Sequence, residues 1–160
     1  MRQRTGELLA LLTDAGVEFL LIGGVAASFH GSTYVTFDLD VLMPFTGENW
    51  QRVIGALRSL KPVFHGHPSR IPLHDDPAQL TAFRMVLLET EWGRLDMLRA
   101  IPNGTYDEVA PRAITLDVFG RPTRVLGLDD LIESKALLMR DKDRPVVAEL
   151  RAIRERLNRG

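Results

Sequence analysis

Between residues 36 and 43 the chain alternates: Phe37, Leu39 and Val41 fall on one side of an extended backbone, and Asp38 and Asp40 on the other. No other feature constrains the fold as much. The apolar side must pack on a core, which leaves two carboxylates side by side on the opposite face. There they repel each other unless a cation neutralises them. Pro44 and Gly47 end the strand.

The flanking segments show what carries this strand. Leu8, Leu9, Leu11 and Leu12 recur at helical spacing ahead of Gly16, which predicts a helix over residues 5–15 with a left-handed stop. Residues 17–22 are almost wholly apolar and predict a buried strand ended by Gly23 and Gly24. Residues 25–30 predict a short helix packed close to that strand, ended by Gly31. Trp50, Val53, Ile54, Leu57 and Leu60 mark an amphipathic helix. Residues 62–77 hold four prolines and three of the four histidines without any period, which predicts a loop with at most one short strand.

Residues 80–89 and 93–98 flank Thr90, Glu91 and Trp92 and predict an antiparallel hairpin turning near Gly93, with Asp96 on its second arm. A short helix over residues 106–113 follows. Residues 114–119 and 123–126 then predict a second hairpin around Gly120, Arg121 and Pro122. Two helices complete the chain: Asp129 or Asp130 caps the first, and Asp143, with Pro145 close behind, opens the second. No repeat or linker-like run interrupts this order, so one domain over residues 1–160 is expected, with 129–160 as a C-terminal helical extension.

Composition narrows the chemistry. A chain of 160 residues, 45% hydrophobic, can bury about 70% of the surface its unfolded form exposes, enough for a core without disulfide or structural metal. With no cysteine, thiolate zinc sites, iron-sulfur clusters and cysteine nucleophiles are excluded. The formal net charge of -1 argues against a surface that is one large nucleic-acid or membrane footprint, so any polyanion site is local. The N-terminal stretch is interrupted by Glu7, Asp14 and Glu18, and no apolar run approaches the roughly 20 residues that span a bilayer. A cytoplasmic protein without an anchor is expected.

The informative constellation is Gly23-Gly24, Asp38-Leu39-Asp40 and Asp96. Oxygen donors without cysteine or a clear histidine partner suit Mg²⁺ or Mn²⁺ rather than zinc. Asp96 lies among apolar neighbours, so its charge also needs a partner, and a third carboxylate on another strand would complete one edge of a two-metal site. Two glycines after a buried strand let the backbone approach a phosphate. A phosphate cradle beside a carboxylate cluster is what phosphoryl or nucleotidyl transfer requires.

On these residues, and on the segments IGGVAASFHGSTYVTFDLDVLM, LDML and DLIESKALLMRDKDRPVVAEL, the chain resembles the nucleotidyltransferase superfamily that includes DNA polymerase beta. It is most similar to the small bacterial branch of minimal and abortive-infection-type, toxin-like nucleotidyltransferases. The resemblance runs from about residue 19 to about residue 150. It implies an α/β (α+β) fold, a mixed, mostly antiparallel sheet flanked by helices, and nucleotidyl transfer with two Mg²⁺ ions. Carried over, Gly23 and Gly24 match the triphosphate-binding glycines. Asp38 and Asp40 match the paired metal ligands, and Asp96 matches the third carboxylate. Lys135 matches a phosphate-contacting basic position, and Arg140, Lys142 and Asp143 match an R-x-K-D signature. The chain departs from the pattern at Tyr34, where the family often has arginine, and at Val146, where it often has an acid.

Other features read more simply. His65, His67 and His74 sit in a solvated loop near the site mouth, where they can influence acceptor choice rather than bind metal. Residues 135–160 hold eight Lys or Arg against four acids. Arg151, Arg154 and Arg156 form the wet face of a helix whose buried side is Val147, Leu150, Ile153 and Leu157, with a polyanion-facing patch as the alternative. Trp50 and Trp92 are packing residues.

The expected activity is transfer of an NMP from an NTP to a hydroxyl acceptor, tRNA or protein among the candidates, with release of pyrophosphate. A cognate antitoxin is the expected partner if the toxin-like branch is the right one. A catalytically inactive nucleotide-binding module of the same fold is the alternative, and a metal-dependent phosphohydrolase a weaker one.

Overall fold

A computed structural model of the chain describes residues 2–160. The first helix, α1 (Thr5–Asp14), buries Leu8, Leu9 and Leu12, and Gly16 follows it in the left-handed conformation at φ 74°. The strand β1 (Leu20–Ile22) is wholly buried and runs straight into α2 (Gly23–Phe29). Both glycines therefore begin the helix rather than forming a separate turn before it.

β2 (Asp38–Leu42) carries the alternation seen in the sequence, with Leu39 and Val41 fully buried. A one-residue slip would drive both aspartates into the core, so burial of these two side chains fixes the register. Phe37 is not part of that buried face. It is 76% exposed, because the strand starts only at Asp38 and the preceding residues belong to a loop.

α3 (Gly47–Leu57) is capped by Thr46, whose hydroxyl accepts from the Asn49 amide, and it buries Trp50, Val53, Ile54 and Leu57. A 3₁₀ turn over Arg58–Leu60 ends it, and β3 (Val63–Phe64) is the single short strand of the proline-rich stretch.

Leu80 lies in α4 (Pro77–Leu80), not in a strand. Asp76 caps this turn and Pro77 opens it, so the hairpin arm starts later, as β4 (Met85–Thr90), and returns as β5 (Gly93–Leu98). A small ladder of β6 (Ala100–Ile101) and β7 (Gly104–Thr105) follows. α5 (Tyr106–Val109) comes next, with a capping box between Thr105 and Glu108.

β8 (Ile114–Val118) and β9 (Arg121–Val125) turn on Phe119 and Gly120, both at positive φ, the geometry of a two-residue hairpin turn. Arg121 and Pro122 are thus strand residues and not turn residues.

The last two helices are α6 (Leu128–Leu138) and α7 (Arg144–Arg159). The N-cap of α6 is Gly127. Asp130 instead points inward and accepts from Arg112 and Asn103. Asp143 does precede α7, but its carboxylate is engaged by Arg140 and Lys135 rather than by the helix amides. On α7 Val147, Leu150 and Ile153 are buried, whereas Leu157 is exposed beyond the end of the core.

Seven strands form one mixed sheet in the order β3-β4-β5-β2-β1-β9-β8. Only β2–β5 and β1–β9 run parallel; the other pairs are antiparallel. Leu21, Leu39, Val41, Val86, Leu88, Leu95, Met97 and Val125 share a single buried cluster with α1 and α3. The same register sends Asp38, Asp40, Arg94 and Asp96 to the opposite face. α2 lies against β1 and β2 and also contacts α6, which packs on α7. No described helix is long and apolar enough to cross a membrane.

Candidate active site

The site lies on β1, β2 and β5, with α2 starting directly at the end of β1 and packing on β1 and β2. In the ladder Ile22 pairs with Asp40, and Asp40 pairs with Asp96, so the two carboxylates sit on neighbouring strands just beyond the first glycine. Gly23 has φ 68°, and a Cβ there would run into the Asp40 carboxylate. At Gly24 a Cβ would lie 2.7 Å from the Cβ of Thr36. Both positions are therefore closed to larger residues by the site itself.

A cleft of about 330 Å³ opens over this junction. Gly24, Asp38, Asp40 and Asp96 line its floor, and Lys135, Arg140, Lys142 and Asp143 line the wall supplied by α6 and the turn before α7. Gly23 lies beneath it against Asp40. The candidate residues of the sequence, from four separate parts of the chain, thus line or underlie one space. Tyr34 and Val146, the two departures from the family pattern, also line it.

The electrostatics are uneven. Burial, then the charges of Asp96 and Asp38, push the Asp40 carboxyl up to about 7. Lys135 is only 8% exposed, and its burial holds its ammonium below the usual lysine range against the pull of Asp143. Its Nζ lies 3.7 Å from Asp143 Oδ1, beyond hydrogen-bonding distance. Asp143 is held more firmly by Arg140, through Nε at 2.5 Å and Nη2 at 3.2 Å. Lys135 is thus a buried cation with a loose partner, facing the carboxylates across the cleft.

Sequence reasoning passed over two parts of the site. Arg94 Nη2 donates to both carboxylate oxygens of Asp96, at 3.0 and 3.1 Å, and its Nη1 lies 3.9 Å from Asp38. The available signal was parity: Arg94 and Asp96 are two apart on a strand and share a face. The second part is the loop before β2. Glu149 on α7 accepts from the amide of Thr33 at 3.0 Å and from its hydroxyl at 2.6 Å, which pins the loop that forms the cleft mouth. No local signal pairs residues so far apart in sequence.

The donor set fits a hard divalent cation: three carboxylates and no sulfur, with burial and then the neighbouring carboxylate charges pushing Asp40 up to about 7. Among the described residues, however, no three acidic or histidine side chains already close into a cage. The Arg94 guanidinium stands between Asp38 and Asp96 instead. The three loop histidines do not converge. His65 bonds Glu89 at 2.8 Å, His67 accepts from the Ser69 amide, and His74 packs against Phe64 and Phe83. Trp50 is fully buried against Phe45, and Trp92 lies under the Arg4 guanidinium.

No protein-family model and no curated protein matches the chain by sequence. Solved structures do match in three dimensions. A candidate nucleotidyltransferase from Thermotoga maritima aligns at a TM-score of 0.55 and 13% identity, covering 96% of this chain and 90% of that one. The lincosamide antibiotic adenylyltransferase LnuA, solved with lincomycin bound, aligns at 0.59 and 17% identity over 95% of this chain and 98% of that one. An antigenic nucleotidyltransferase-like protein from Paracoccidioides brasiliensis aligns at 0.54 and 13% identity, covering 93% and 72%. The chain has a nucleotidyltransferase-like fold, a mixed sheet flanked by helices with two helices at its C-terminal end.

Proposed function

We propose that this protein is a Mg²⁺-dependent nucleotidyltransferase that moves an NMP from an NTP to a hydroxyl acceptor. One observation carries the proposal: the glycine pair, the three aspartates and the three cations line or underlie the same cleft. In the reaction the acceptor oxygen bonds to the α-phosphorus, the bond from that phosphorus to the pyrophosphate oxygen breaks, and the acceptor proton is released.

Asp38, Asp40 and Asp96 would hold two Mg²⁺ ions, with Mn²⁺ as a substitute. When bound, such ions neutralise triphosphate charge and lower the pKa of the acceptor hydroxyl. The chain's own groups do the rest. Gly23 and Gly24, lacking side chains, let the triphosphate approach the backbone. Lys135, desolvated and loosely paired, offsets phosphate charge from the wall facing the carboxylates, while the more exposed Arg140 and Lys142 do so nearer solvent. Residues 129–160 act as one unit with the sheet by supplying this basic wall.

The proposal extends to a cytoplasmic enzyme whose acceptor is a tRNA or protein hydroxyl, paired with a cognate antitoxin. The adenylyltransferase LnuA, bound to lincomycin, widens the acceptors worth testing to small antibiotics. The test is incubation with Mg²⁺ and each α-labelled NTP against total RNA, purified tRNA, extract protein and a lincosamide. Label on one acceptor class, with pyrophosphate released, supports the proposal and names the acceptor. NTP binding without transfer to any of them would favour an inactive binding module. Release of inorganic phosphate without acceptor would favour a phosphohydrolase.

A further inference from the structure

Arg94 belongs to β5, two residues before Asp96, and the β2–β5 register sets it opposite Asp38. A single nitrogen, Nη2, reaches both oxygens of Asp96, and Nη1 approaches Asp38. Its Nε is buried without a hydrogen-bond partner. Such an orphaned donor costs free energy, which the contacts to the two carboxylates must offset. Among the described residues no acidic cage is closed, and the guanidinium lies within ion-pair distance of both Asp38 and Asp96.

We propose that Arg94 is an internal counter-ion that fills the cation position between Asp38 and Asp96 in the free protein, and that it must leave Asp96 before that position can load. This rests on the cation-binding reading of the three aspartates. Without an ion, three neighbouring carboxylates repel, and Arg94 relieves the repulsion. With an ion, the guanidinium and the incoming cation compete for the same oxygens and repel each other. The competition is one-sided across the site. Arg94 forms its hydrogen bonds and ion pairs with Asp96 and Asp38 and none with Asp40, so a cation on the Asp40 side loads without displacing it. Swinging away also lets Nε meet water, which ends its unpaired state. Arg94 therefore sets the order in which the two positions fill.

The test is Mn²⁺ binding to the full chain, followed by paramagnetic resonance with no nucleotide present. Arg94→Gln removes the competing charge and is expected to bind Mn²⁺ at least about tenfold more tightly than wild type. Arg94→Lys keeps the charge and is expected to stay within about threefold of wild type. Equal or weaker binding by Arg94→Gln overturns the proposal. Should that variant not fold, wild type still decides: the Nε–H resonance of Arg94 is expected to shift on saturation with Mg²⁺, and an unmoved resonance overturns the proposal. Wild type that binds no Mn²⁺, even with an NTP analogue, instead overturns the reading of the aspartates as a cation site.

Discussion

Asp40 stands opposite Asp96 across the parallel β2–β5 pair, and its burial, reinforced by the Asp96 charge, makes Asp40 hold its proton up to about pH 7. An unfolded aspartate releases its proton near pH 3.9. The folded state thus binds this proton more tightly than the unfolded state does. Its contribution is favourable below about pH 4, is lost as pH rises from about 4 to about 7, and stays lost above that. With a chelator present, Asp40→Asn should gain thermal stability relative to wild type steadily across this window. A melting-temperature difference that does not change between pH 4 and pH 8 would show that Asp40 is an ordinary carboxylate.

Gly23 and Gly55 make opposite predictions for one added methyl group. At Gly23 the backbone is left-handed and the Cβ meets Asp40, so Gly23→Ala should cost about 1–3 kcal/mol and abolish nucleotide transfer. Gly55 is exposed in α3 with nothing within 4 Å of a Cβ, so Gly55→Ala should stabilise by about 0.5–1 kcal/mol with transfer unchanged. Denaturant melts and transfer rates of the two variants check both halves.

Lys135 and Asp143 separate stability from function. Asp143→Ala leaves Lys135 buried without a counter-charge and should cost about 3 kcal/mol, a fall in melting temperature of roughly 6–12 °C. Lys135→Met removes a desolvated ammonium while Arg140 still holds Asp143. Its stability should stay within about 1 kcal/mol of wild type or rise, while NTP affinity falls at least about tenfold. Calorimetric titration with an NTP analogue beside thermal melts checks this. A Lys135→Met protein that binds NTP normally would remove Lys135 from the site.

Much of this was legible in the sequence, for physical reasons tied to particular residues. Leu39 and Val41 must be buried, and that alone sends Asp38 and Asp40 to one face. Gly23 declares itself because it follows a wholly apolar strand. Legibility ended where tertiary partners override local pattern. Leu80 looks like the start of a strand, but Asp76 and Pro77 build a helical turn there. Asp130 has the type and position of a helix cap, yet Arg112 and Asn103, 18 and 27 residues away, draw it inward. β6 and β7 are two residues each, too short for any period to register. Within the site, Arg94 was hidden because an arginine on a strand face normally reads as solvated. Only the pairing of β5 with β2 shows that it faces carboxylates.

The most direct measurement is pyrophosphate release from NTP and Mg²⁺ with the acceptor that takes up label, by wild type, Asp38→Asn, Asp40→Asn and Asp96→Asn, each first shown to be folded. The three carboxylates are predicted to be indispensable: wild type turns over, and each variant falls by at least about a thousandfold. Undiminished release from any folded aspartate variant would contradict the central claim that these three residues are the reaction centre.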